Sequence, residues 1–158
     1  MTINWLAVAL KLRRWQFAWA WVLGVALVAS ACAAKTPVAR LQVSALAVGE
    51  AVLAIDQAER DVYRANLAGY DKADHDRIGA IVLKLLYAAR GFERAVATLP
   101  ASATSPSQEV LAAQAAVLAG LDDLTEALPA AERVRAPMLA AAAGVRAALV
   151  AWNQGGGQ

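Results

Sequence analysis

The stretch Ile78-Gly79-Ala80-Ile81-Val82-Leu83-Lys84-Leu85-Leu86-Tyr87-Ala88-Ala89-Arg90-Gly91-Phe92-Glu93-Arg94-Ala95-Val96-Ala97-Thr98-Leu99 decides the fold. Ile78, Ile81, Val82, Leu85, Ala89, Phe92, Val96 and Leu99 recur at three- and four-residue spacing, which places them on one face of an α-helix. A strand would need alternation instead. Just upstream, Asp71 is placed to cap this helix, with Asp74 three residues on, both acids suited to a helix N-terminus.

The same period extends in both directions. Leu41, Ala45, Val48, Val52, Ile55 and Val62 form a stripe that Leu46, Leu53 and Tyr63 are expected to widen, predicting a helix from Val38 to Leu67 stopped by Gly69. After the Pro100–Ser107 loop, Ser105-Pro106-Ser107-Gln108 reads as a capping box with Ser105 as N-cap. A third helix carries Val110, Gln114, Val117, Leu121, Leu124 and Leu128. The last region holds Val134, Met138, Ala141, Val145, Leu149 and Trp152, and Pro137 is expected to break it near Ala136.

The fold class is therefore all-α: an up-and-down bundle of three long helices plus a shorter Pro-broken fourth segment. A hydrophobic signal or anchor helix precedes it. The organisation read from the chain is 1–31 signal peptide or membrane anchor, 32–37 lipidated linker, 38–152 α-helical bundle and 153–158 disordered tail. Many stripe positions are alanine, which lets helices approach but removes little apolar area from water. Such a bundle is expected to lean on a protein partner or a homo-oligomer, and the seams of the first two helices resemble coiled-coil faces.

The charge is uneven along the chain. The 158 residues carry a formal +2, yet Lys11, Arg13 and Arg14 sit in the first segment and every acidic residue follows Cys32. Without those three, twelve basic residues face thirteen acidic ones. A near-neutral domain has no electrostatic footprint for nucleic acid, which is excluded as a partner.

Lys11, Arg13 and Arg14 precede the apolar run Trp15–Val28, and the run closes at Ala29-Ser30-Ala31-Cys32. A basic n-region, an apolar h-region and small residues at a cut are the parts of an export signal. The segment resembles the bacterial lipoprotein signal, whose lipobox sets small or aliphatic residues before an invariant cysteine. Ala29 stands where the commonest form has Leu. The resemblance covers the first 34 residues and implies that Cys32 receives a diacylglyceryl thioether, that cleavage precedes it and that the new N-terminus is acylated. It further implies a membrane partner through the lipid, and a place in the cell envelope. Ala33, rather than Asp, follows the cysteine, which in Gram-negative lipoproteins implies the outer membrane, facing the periplasm. The alternative is an uncleaved single-pass protein, an accessory subunit of an envelope complex or a phage-encoded envelope factor. Trp15–Ala34 is long enough to span a bilayer core of ~30 Å.

Chemistry is sparse. Cys32 is the only cysteine and His75 the only histidine. Asp71, Asp74 and His75 are weak metal candidates, because His75 and Asp71 are four apart and share a helix face. Zinc wants three or four converging ligands, so no metal or other cofactor is expected. Glu59 falls in the seam of the first helix, where Arg60 and Arg64 are expected to neutralise it. Nucleophile elbows and phosphate loops are missing. The expectation is a binding or structural module and not an enzyme.

Overall fold

A computed structural model of the protein describes residues 36–154. The signal segment, Cys32 and residues 155–158 lie outside the described residues, as does the Trp152 side chain. Four helices account for the described fold: α1 (Pro37–Arg64), α2 (Lys72–Ala97), α3 (Gln108–Ala127) and α4 (Glu132–Gln154).

Each start has a local cause. Thr36 is extended and its hydroxyl accepts from Ala39 N at 3.2 Å, while Pro37 supplies a preset φ at the first turn. The Asp71 carboxylate accepts from Asp74 N at 2.9 Å and starts α2 as the sequence implies. For α3 the cap is Ser107, which accepts from Val110 N at 3.3 Å. Ser105 is thus not the cap: it lies in a bend, and the extended Ser107 immediately precedes the first helical residue, Gln108. The end of α1 also differs from expectation. Arg64 is its last residue, and Asn66 takes the left-handed conformation (φ 46°) that releases the chain. Gly69 (φ 85°) makes a second left-handed turn, where a Cβ would stand 3.2 Å from Ala131.

The contacts set the spatial order α4–α1–α2–α3. Gly49 lies under Glu93, Leu85 against Gly120, and Gly144 near Ala51. At one end Gly69 meets Ala131, and Arg77 donates to the Ala127 carbonyl at 3.0 Å. These pairings make α1–α2, α2–α3 and α1–α4 antiparallel. Although α3 and α4 are joined by a short loop, they touch sparingly. Leu128 ends α3 in an extended conformation (ψ 131°), and α4 turns toward α1. An Arg146–Asp122 ion pair of 2.6 Å ties α3 and α4.

The core is the union of the four stripes. Phe92, Ile55, Ile78, Leu85, Leu121, Leu124 and Met138 are its largest fully buried side chains. The seams of α1 and α2 are thereby filled within one chain. Two expectations fail here. Leu46 and Leu53 do not widen the α1 stripe; they are 60% and 50% exposed, on the far side of the helix. The fourth segment is neither broken nor short, since α4 runs 23 residues through Pro137. Pro137 deprives only the Arg133 carbonyl, one turn from the helix start. Val134 before it and Met138 and Val145 after it are anchored in the same core, which holds both parts on one axis. Asn153 and Gln154 continue the helix instead of opening a tail, and Pro37 belongs to α1 instead of a linker.

Glycines separate into two kinds. A Cβ on Gly91 would meet nothing within 4 Å, whereas one on Gly120 would stand 3.0 Å from the buried Leu85 Cδ1. Gly91→Ala should therefore stabilise the bundle by about 0.5–1 kcal/mol through helix propensity. Gly120→Val should destabilise it by about 1–3 kcal/mol through overpacking. Urea unfolding of both variants gives opposite shifts in midpoint; equal shifts would refute the α2–α3 contact.

Candidate functional site

Glu59 is the one carboxylate in the core, 2% exposed near the end of α1. An ionised carboxylate there must be given donors, because burial without partners costs far more than the interaction returns. Two come from beyond the turn. The Tyr70 hydroxyl donates to Oε1 at 2.6 Å, and His75 Nδ1 approaches the same oxygen at 2.5 Å. A carboxylate can only accept, so the geometry assigns the proton to Nδ1. Nε2 makes no hydrogen bond within the described residues, and His75 is 30% exposed.

Aromatic contacts complete the cluster. Tyr63 stacks flat on His75, with centroids 3.8 Å apart and planes 7° apart, and meets Tyr70 edge-on at 6.5 Å. Burial pushes the Tyr70 phenol far above its ordinary range, and its hydrogen bond to Glu59 and the carboxylate charge push the same way. On the exposed side, Lys72 and Asp76 are paired at 2.5 Å, which raises the ammonium and lowers the carboxyl.

The arginines expected to neutralise Glu59 do not reach it. Arg60 pairs with Asp56 at 3.0 Å and Arg64 with Asp61 at 3.9 Å, both on the exposed side of α1. The missed partners, Tyr70 and His75, lie 11 and 16 residues away. One signal was available: a glutamate on an apolar stripe requires a donor from another element.

The weak metal candidates are brought near one another but are otherwise engaged. Asp71 caps α2, Asp74 binds Arg77 at 2.6 Å, and His75 holds Glu59. Among the described residues no group of three or more His, Cys, Asp or Glu side chains converges to hold a metal. A shallow depression of about 550 Å³ follows the turn, lined by residues 66–71 and Asp74. The arrangement is a clasp that fixes the α1–α2 turn and leaves one imidazole edge in water. Comparison with protein-family models, with curated proteins and with solved structures finds no match.

The clasp has a pH signature. In the unfolded chain Tyr70 loses its proton near its ordinary value of 10.0, while the folded chain retains it. Above that point the unfolded state binds fewer protons, so this contribution is full below about pH 10 and fades as pH rises. Tyr70→Phe should cost about 1.5–3 kcal/mol near neutrality, from the lost bond to a charged acceptor. It should also flatten the alkaline decline. Chemical denaturation of both proteins across pH 7–11.5 is the check, and parallel curves would refute it.

Proposed function

We propose that the chain is a membrane-anchored lipoprotein whose helical bundle serves as a binding or structural module of a bacterial envelope, on the extracytoplasmic side. One observation carries the reading: the basic cluster, apolar run, small residues and Cys32 occur in that order directly ahead of a folded domain. Only three residues separate Cys32 from the Thr36 cap, so a lipid on that sulfur holds the bundle against the bilayer. Two or more acyl chains give stable anchoring where one does not. A lone cysteine is also a hazard outside the cytoplasm, and thioether formation removes it.

The chain also supports a second reading, an uncleaved single-pass protein, through the length of its Trp15–Ala34 segment. Among the described residues α1 is itself long and apolar enough to cross a membrane by length and composition, with 44% of its most apolar window buried. Its core stripe, with Val48, Val52 and Ile55 fully covered, fits a bundle helix.

Intact mass of the protein extracted from a bacterial membrane separates the two. The lipoprotein gives a species beginning at Cys32 with added diacylglyceryl and acyl mass, and Cys32→Ser abolishes that addition and the cleavage. A species beginning at Met1 without added mass would overturn the lipoprotein and leave the span.

A further inference from the structure

We infer that the bundle lies along the bilayer on the outer face of the α1–α2 pair, against a lipid surface carrying anionic headgroups. This rests on the anchored reading above. Four large apolar side chains leave the core on that side: Leu46 and Leu53 on α1, and Leu83 and Tyr87 on α2, between 50% and 61% exposed. Leu46 and Leu53 are seven apart and Leu83 and Tyr87 four apart, so each pair shares one face of its helix. The two helices run antiparallel from the turn at 65–71, which puts Leu53 and Leu83 at one level. Both stand roughly opposite the buried stripes, so their faces adjoin.

Charge names the occupant. The exposed Lys84, Arg90 and Arg94 border the apolar patch, against two carboxylates, the exposed Glu50 and the half-buried Glu93 that lies over Gly49. Further along the same face Arg60, Arg64 and Lys72 are each matched by a neighbouring aspartate and add no net charge. Leucines and a tyrosine set among basic side chains are the composition of an interfacial surface. Aromatic rings with a polar tip favour the headgroup level.

The tether allows it. Five residues from Cys32 to Pro37 reach at most about 18 Å, so the N-terminal end of α1 stays at the membrane. The patch then begins some nine residues along α1, or about 14 Å at ~1.5 Å per residue. A bundle lying down brings it into the interface; an upright one leaves it in water.

The test uses the full chain in vesicles of phosphatidylethanolamine and phosphatidylglycerol. An environment-sensitive fluorophore is placed at Leu83→Cys or, as a control, at the exposed Ala115→Cys of α3. Nitroxide-bearing lipid should quench the label at 83 at least about threefold more than that at 115, because only an interfacial face reaches acyl-chain depth. Phosphatidylcholine vesicles or high salt should reduce the difference. Equal quenching at both positions overturns the inference. So does shielding of position 83 from an aqueous quencher without lipid quenching, which would assign the face to a second copy. Intact mass at Cys32 on the same preparation reports the anchor independently, so the two failures are distinguishable.

Discussion

A carboxylate sealed inside an alanine-rich bundle is the constraint around which the rest is arranged. Glu59 belongs to α1, the helix that packs on both α2 and α4, and it tolerates burial only where Tyr70 and His75 arrive together. Their arrival fixes the turn, the register of α2 on α1 and, through α2, the place of α3. Polar groups buried in this way stabilise little by themselves, since desolvation offsets most of the gain. Their effect is selective: a slip of one residue along α1 would strand the charge.

Packing follows from the scarcity of bulky side chains. Valine and alanine fill many core positions. Gly49 lies under the Glu93 side chain and Gly120 under Leu85, each too close for a Cβ, while Gly144 faces Ala51 at ordinary contact distance. The α3–α4 seam lacks such a pairing and is held by the Arg146–Asp122 ion pair instead. Exposed pairs of this kind are worth roughly 1 kcal/mol or less, so this seam is weaker than the other three.

The stripes of all four helices were legible because burial repeats with the helical period, and Val48, Leu85, Val117 and Val145 fell where that period put them. What escaped was set by elements meeting in space. The partners of Glu59 depend on left-handed turns at Asn66 and Gly69, and a reading limited to neighbours chose Arg60 and Arg64. Leu46 and Leu53 looked like core because apolar character alone does not tell which side of a helix a neighbour covers. Pro137 looked like a break because the packing that holds α4 straight comes from residues of other helices. The clasp itself was half legible. His75 stands out as the only histidine of the chain, but its partner Glu59 lies sixteen residues back, on α1, across the turn.

The spatial order has a consequence for how the chain acquires its shape. α1, α2 and α3 build up as successive local hairpins, but the other flank of α1 is covered only by α4, more than eighty residues downstream at the Ala51–Gly144 approach. A chain delivered N-terminus first therefore keeps Val52, Ile55 and their neighbours half uncovered until its last helix arrives. Contacts of such separation in sequence form slowly, and exposed apolar surface invites association in the meantime. The fourth helix is thus the one that closes the first, and the apolar flank of α1 stays open until that closure.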